Sequence, residues 1–409
     1  MSRIWIDVED LFSHAGSFRR PSGIQRVTIE LCRAMAGAAD IGFLRHAGWR
    51  GFTAIGWPAI EAAMAELADD RPIPTPQGLW RLQWDALCAL AGVPGSLLPP
   101  ARGPQARFAA GDTLLVLGAG WDDPGHAARV IATCGRHRLR LSVLLHDLIP
   151  LVRPEWCDPQ TVRRFTLWSD ALLRAADLVL ADSQATARDI AARRAELRLP
   201  VLPAHVIRLG DGFAPMPETP PPLEGRFALF VSTLERRKNH ALLVEVWRRL
   251  LLRLGPQTVP KLVFVGREGP LVGDLLAVLR ASRWLDGHVV WRQQATDAEL
   301  AGLYQGCDFT LFPSLYEGWG LPVAESLCFG KPCLAARATS VPEVGGDLVG
   351  YFDPLDVADA ERVIGAAVAE PALLVSWEAR IRATFRPTAW AATATMLRAA
   401  IEDGSERPL

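Results

Sequence analysis

The chain predicts an α/β protein of two facing Rossmann-like domains, each with a mainly parallel sheet, and three observations lead there. It has 409 residues, more than one hydrophobic core usually serves, so two domains of about 200 residues each are expected. Short apolar runs alternate with longer helical patterns in both halves, the order that builds parallel sheets through right-handed crossovers. Between the halves, Leu209-Gly210-Asp211-Gly212-Phe213 is followed by Pro215, Pro217, Pro220, Pro221 and Pro222, a stiff linker poor in backbone donors. The boundary is therefore placed within 210–224, giving domains 1–222 and 223–409. Whether the last helix, about 387–402, stays with the second domain or crosses back to the first is open at this point.

Composition narrows the function. Half the residues are hydrophobic and the formal net charge is −1, which fits a globular protein and excludes a nucleic-acid binder driven by net charge. Cys32, Cys88, Cys134, Cys157, Cys307, Cys328 and Cys333 are scattered, with no Cys-x2-Cys pair, so neither a disulfide framework nor a structural zinc site is indicated. MSRIWIDVEDL carries acids early and lacks a long apolar core, and no later run reaches about 18 apolar residues. Cytoplasmic synthesis and retention are expected.

Along the first half, Arg3–Val8 alternates as a strand. A polar, glycine-bearing loop over Asp10–Ser22 follows, and then helical spacing of Ile24, Val27, Leu31 and Met35 from Gly23 to Ala36. At Pro21-Ser22-Gly23-Ile24-Gln25-Arg26 the loop turns into the helix. Ser22 can cap it, or the free N–H groups at Gly23 can cradle an anion beside Arg26. In 44–110, helices are expected near Ala59–Ala68 and Gly78–Ala91 around Pro72–Pro76; Trp49, Trp57, Trp80 and Trp84 read as packing groups or as acceptor-stacking faces. The strand Thr113–Leu117 ends in Gly118-Ala119-Gly120-Trp121-Asp122, a loop of the kind that lines a cleft. Leu141–Leu145 delivers His146-Asp147 at its carboxyl end. A helix over Pro159–Ala175, a strand Leu178–Ala181, a helix from Ser183 and a strand His205–Arg208 complete this half.

The second half opens on the strand Phe227–Ser232, followed by Thr233-Leu234-Glu235-Arg236-Arg237-Lys238-Asn239-His240 and an amphipathic helix to Leu251. Lys238 is informative because only Lys238, Lys261 and Lys331 are lysines among 44 basic residues. A compact ammonium in a helix-start loop suits a diphosphate. Lys261–Val265 ends in Gly266-Arg267, where backbone groups are expected to meet a nucleotide base. Val289–Trp291 precedes a helix capped by Thr296 and Glu299. Val349–Phe352 reads as a strand, with helices at Val357–Ala369 and Pro387–Ile401.

The chain is organised around DFTLFPSLYEGWGLPVAESLCFGKPCL, residues 308–334. Asp308–Phe312 reads as a buried strand, Pro313–Gly320 as a loop, and Leu321–Phe329 as a helix that Gly330 and Pro332 end. Gly320 lets a ligand approach the backbone, and Pro322 sits where its missing N–H costs least. Glu317 and Glu325 are expected to flank this helix start, since helical side chains lean toward the N-terminus. No Asp-x-Asp pair occurs in the chain, which agrees with a site that uses no metal.

PSLYEGWGLPVAES followed by GKP resembles the donor-site signature of the family-four retaining glycosyltransferases, which have the GT-B fold. The resemblance covers the second half well and the first half patchily. HDLIPLVRPEW is similar to the loop in which polysaccharide-building members present a histidine to the transferred sugar; it implies that neutral His146 contacts the sugar and that Asp147 orients it or meets the acceptor hydroxyl. TLERRKNH resembles the diphosphate-binding loop and implies Lys238 on the donor phosphates. Where the family often has Gly-Arg this chain has Ser232-Thr233, so Arg237 stands in as the second cation. A Gly-Gly pair is reduced to Ser22-Gly23. Relatives send the last helix back onto the first domain. TLERRKNH and HDLIP are similar to strings in bacterial polysaccharide mannosyl- and related transferases, which makes GDP-mannose the first expected donor.

On this reading Lys238, Arg237 and the helix start at Gly320 and Leu321 stabilise a leaving diphosphate without a divalent ion. Glu317 holds hydroxyls of the transferred hexose, and Glu325 holds the ribose or the sugar. The acceptor, a glycan or lipid-linked saccharide, attacks from the side the diphosphate leaves, with retention. Arginines 136, 138 and 140 and the helix 161–174 suit peripheral contact with an anionic membrane, and surface salt pairs explain them equally well. A nucleotide-sugar epimerase, a glycosyl phosphorylase or a non-catalytic nucleotide-sugar sensor are the alternatives on such a fold.

Overall fold

A computed structural model describes residues 2–15, 21–46, 51–68, 104–211, 219–220 and 222–405. The expected helix at Gly78–Ala91, most of the proline linker, and Trp49, Trp80 and Trp84 lie outside the described residues. Two mainly parallel sheets are present. The first comprises β1 (Ile4–Asp7), β2 (Ile41–His46), β3 (Phe52–Ile55), β4 (Thr113–Val116), β5 (Arg140–Leu145), β6 (Leu178–Ala181) and β7 (His205–Val206), in the order β3-β2-β1-β4-β5-β6-β7. Among these strands of the described residues, only β2 and β3 pair antiparallel. The second comprises β8 (Phe227–Val231), β9 (Lys261–Val265), β10 (Val289–Arg292), β11 (Phe309–Phe312), β12 (Cys333–Ala336) and β13 (Gly350–Phe352), in the order β10-β9-β8-β11-β12-β13.

Buried on both faces, parallel strands read as short apolar runs, and β1, β4, β6, β8, β9 and β11 were visible as such. Three strands escape that reading. β2 ends in Arg45 and His46, β3 is a four-residue edge strand, and β12 is the weakly patterned Cys-Leu-Ala-Ala. Helices His126–His137, Gly273–Ala281 and Pro371–Thr384 are also additions. Expected ends shift by a few residues: the last helix runs Trp390–Ser405 rather than Pro387–Ile401, and Leu321–Phe329 stops at Cys328.

One hydrophobic core runs from Ile4, Ile6 and Leu31 of the first half through Phe230, Phe264 and Phe309 of the second, and includes Ala394, Leu397 and Ile401 of the last helix. That helix lies on Gly23–Met35 in the first half. Arg398 pairs with Asp40 at 2.6 Å, Thr393 Oγ1 donates to the Arg208 carbonyl at 2.9 Å, and the Asp211 carboxylate accepts from the Thr388 N–H at 2.8 Å.

In each sheet the chain steps outward to one side and returns on the other, leaving a crevice beyond the strand ends where ligands bind in such folds. In the second sheet the reversal lies between β8 and β11, in the first between β1 and β4. These crevices position everything that follows.

Candidate functional site

The loop after β8 and the loop after β11 meet at the reversal of the second sheet. Lys238 Nζ donates to Glu317 Oε1 at 2.6 Å, and Arg237 Nη1 lies 2.8 Å from Glu317 Oε2. Arg237 also donates to the Tyr316 carbonyl at 2.7 Å and to Glu235 Oε1 at 2.6 Å. Thr339 and Ser340, after β12, donate to the Glu317 carbonyl at 2.9 Å each. Glu317 is 8% exposed. Burial alone would raise its pKa, but Arg237 and Lys238 outweigh burial and hold the carboxyl at about 2. The same carboxylates keep Arg237 firmly protonated, its pKa raised despite burial.

These side chains are held by local backbone chemistry. Arg236–Lys238 is a short 3-10 turn closed by Asn239 in the left-handed region at φ 59°, whose amide donates to the carbonyls of Pro313 and Pro354. Gly320, at φ 127°, turns the chain into Leu321–Cys328, with Pro322 in the first turn. Lys238 Nζ stands 5.5 Å from the centre of the Phe312 ring, which keeps the ammonium close to that helix start. Gly266 is required for a different reason. At φ 149°, a Cβ there would collide with the Ser232 carbonyl, so Gly266 lets the loops after β8 and β9 close together. Its own carbonyl accepts from Trp291 Nε1 at 2.8 Å.

The two expected carboxylates do not share a partner. Glu325, 1% exposed, has its Oε1 2.6 Å from Nη1 of Arg26, and its Oε2 accepts from the Tyr304 hydroxyl at 2.7 Å. Arg26 belongs to the first half, 299 positions away in the chain. The helix Gly23–Met35 thus brings its own start against that of Leu321–Cys328: a Cβ on Gly23 would stand 3.8 Å from Leu321 Cδ1. The two helix starts, one from each half, are neighbours, and that of Gly23–Met35 is capped by Ser22 and Gln25.

Both ring nitrogens of His146 face acceptors of the first half. Its Nε2 donates to the Leu117 carbonyl at 2.8 Å, and its Nδ1 is 3.4 Å from Asp182 Oδ2. Burial favours the neutral ring, yet Asp182 and the Leu117 carbonyl outweigh it and raise the pKa. With an acceptor beside each ring nitrogen, the ring is anchored by the protein. Asp147 Oδ1 accepts from the Ile149 N–H at 3.0 Å, and burial raises its pKa against the pull of Arg237. Gly318 seats this loop: a Cβ there would collide with the His146 carbonyl and crowd Asp147 Cβ. The void that His146 and Asp147 line with Ile24, Gly118, Trp121 and Trp168 measures about 10 Å³, room for one water.

Other contacts join the halves, and sequence reading missed them. Glu343, in the short turn Val341–Gly345 after β12, accepts from the N–H groups of Gln184 and Ala185 at 2.7 and 3.0 Å. It therefore caps Gln184–Glu196 of the opposite half, alongside Ser183 Oγ, which accepts from the Thr186 N–H at 3.0 Å. Tyr316 donates to Asp189 Oδ2 at 2.7 Å. Ser-Val-Pro-Glu, after Arg337-Ala338-Thr339 beyond the Cys-Leu-Ala-Ala strand, was the available signal for Glu343. In the first sheet's crevice, Asp10 packs where a side chain on Gly118 would be and accepts from the Ala119 N–H at 3.2 Å. Behind it, His126 Nε2 donates to Asp7 at 2.8 Å, and its Nδ1 accepts from Trp168 at 3.1 Å.

Residues 216–383 match the family model described as Glycosyl transferases group 1. Serotype-specific mannosyltransferase WbdA of Escherichia coli is 29% identical over 265 residues, 61% of this chain and 32% of that protein. O-antigen chain mannosyltransferase B of Escherichia coli is 33% identical over 131 residues, 32% of this chain and 34% of its own. The chain thus spans about a third of the length of these curated relatives. Sucrose-phosphate synthase of Thermosynechococcus elongatus superposes with a TM-score of 0.60 at 16% identity, over 98% of this chain and 99% of that one. HepE of Anabaena, in complex with UDP and glucose, gives 0.59 at 16% identity over the whole of both chains. Such identities speak to the fold alone. Residues 216–383 are thus similar to the glycosyl transferases group 1, on a chain with the GT-B fold.

Proposed function

We propose that this protein is a glycosyltransferase that moves a hexose from a nucleotide-diphosphate sugar to a glycan or lipid-linked saccharide in polysaccharide biosynthesis, with retention and without a metal ion. The observation that carries it is the partly buried pair Lys238 and Arg237, held on one carboxylate beside the Gly320 helix start at the second sheet's reversal. Two cations and a helix start in a dry crevice stabilise charge that develops on a leaving diphosphate. The bond from the sugar's anomeric carbon to the diphosphate oxygen breaks, the acceptor oxygen forms the new bond from the same side, and a phosphate oxygen takes the acceptor's proton. Glu317 accepts from hydroxyls of the sugar and orients it.

Residues 1–222 form the acceptor side in this reading and residues 223–409 the donor side. His146, with both ring nitrogens committed, shapes the wall near the sugar, and Asp147 faces the acceptor. GDP-mannose is the first donor to try, because WbdA and mannosyltransferase B are named mannosyltransferases. No helix among the described residues is long and apolar enough to cross a membrane. Contact with an anionic membrane bearing the acceptor would run over the exposed face of Pro159–Ala175, where Arg163, Leu167 and Arg174 stand outward. The test is turnover of GDP-mannose with lipid-linked saccharide acceptors, reading GDP release and the product's anomeric configuration by NMR. Release of sugar monophosphate with phosphate alone, or binding without turnover, contradicts the reading.

A further inference from the structure

We propose that Arg26 is a positioning residue, reaching across from the first half to set Glu325 for the ribose of the nucleotide, so that donor recognition and approach of the two halves become one event. The inference rests on the donor site proposed above and concerns how that site recognises the nucleotide.

The geometry is specific. Glu325 is held on both sides, by Arg26 at Oε1 and by Tyr304 at Oε2, and Tyr304 is itself fixed by stacking on Phe329 with ring centres 5.1 Å apart. A carboxylate gripped at both oxygens cannot rotate. Each oxygen still has a lone pair to offer, so it remains an acceptor for hydroxyls. Glu325 stands one turn into the helix whose start faces Gly23. A diphosphate at that start carries its ribose beside it, with two hydroxyl donors for one preset carboxylate. Hydrogen bonds to an ionised acceptor are the strong ones, and their value depends on how little the acceptor must rearrange.

Arg26 supplies this only when the halves are together. Arg26 comes from the helix Gly23–Met35 and Glu325 from the helix Leu321–Cys328, so any parting of the halves separates Arg26 from a carboxylate that is 1% exposed. Without Arg26, Glu325 keeps only the Tyr304 hydroxyl and is free to turn, which spoils it as a preset acceptor. Glu343 and Tyr316 also join the halves, through Gln184, Ala185 and Asp189 rather than through Glu325. They separate a role in closure from a role in ribose recognition.

The experiment is calorimetric titration of the full chain with GDP and UDP and with their 2′,3′-dideoxy forms, on the wild type and on R26A, R26K, E343Q and K238A. The wild type is expected to prefer the ribose form about tenfold or more. R26A brings that preference to within about twofold by weakening the ribose form alone, R26K keeps part of it, and E343Q leaves the ratio unchanged. Should R26A fail to fold by circular dichroism, R26K against E343Q decides. A wild-type ratio retained in R26A or R26K, an equal collapse in E343Q, or no preference in the wild type overturns the proposal. If neither nucleotide binds, or K238A binds as the wild type does, the donor site itself is wrong; if K238A loses binding while R26A keeps the ratio, only the role of Arg26 is.

Discussion

Lys238 and Glu317 leave different strands of the second sheet and meet at 2.6 Å inside a crevice, with Arg237 closing on the other carboxylate oxygen. Two cations share the Glu317 carboxylate while Arg237 also holds Glu235, so the four charges balance in a partly buried cluster. A cluster of this kind stabilises little by itself, because desolvation consumes much of the attraction. Its value lies in holding two cations in a fixed place, ready for another anion.

Glu317→Gln keeps the shape and removes the anion. Affinity for a nucleoside diphosphate without sugar is expected to hold or rise, because the competing charge is gone. Turnover of the nucleotide sugar falls by about 100-fold or more, because the hydroxyl acceptor is weakened. Calorimetry with the diphosphate and steady-state kinetics with its sugar read the two opposite signs. A parallel loss in both would place Glu317 on the phosphate side of the site.

Gly318→Ala adds one methyl against the His146 carbonyl, at the seam between the halves. Overpacking against backbone costs about 1–3 kcal/mol. The halves are expected to stand apart, seen as a larger radius of gyration in solution scattering together with a lower melting temperature. An unchanged radius and melting point would contradict the closed seam.

Glu343→Ala removes the acceptor for two N–H groups at the start of Gln184–Glu196. Ser183 still caps that helix, so a loss of about 1 kcal/mol is expected. Chemical denaturation measures it, and the loss should shrink in high salt only slightly, because one of the two contacts is part-buried.

Asp10 gives the stability a pH signature. Burial lifts its carboxyl from the ordinary 3.8 to about 6, against the Ala119 N–H and Gln25. A folded value above the unfolded one means that folding favours the neutral acid. The contribution is fully present below 3.8 and is lost as pH rises through 6. The wild type should therefore lose up to about 3 kcal/mol relative to Asp10→Asn between pH 4 and pH 8. Denaturation of both proteins across that range checks it, and a constant difference would show that Asp10 ionises normally.

What could be read from the sequence was local. Pro159–Ala175 is legible because Asp158 accepts from Gln160 and Thr161 at its start and its apolar spacing is regular. Gly320 and Pro322 announce the helix start, and the rarity of lysine singles out Lys238. Contacts between the halves were not legible, since Arg26 with Glu325, and Glu343 with Gln184, are set by how two sheets dock. His146 was found by its place at the end of β5, but the partners of its ring were not legible. The Leu117 carbonyl and Asp182 that commit its nitrogens come from neighbouring strands, and strand order is not written in any one segment.

The central claim is that Lys238, with Arg237 beside it, receives the diphosphate of a nucleotide sugar. Thermal melting of the wild type and Lys238→Ala with rising GDP, UDP and ADP tests it most directly, because a ligand that binds only the folded state raises its stability with concentration. The wild type should gain stability steadily with at least one of the three, and Lys238→Ala, melting normally alone, should gain almost none. A wild type indifferent to all three, or a variant that gains equally, would contradict the claim.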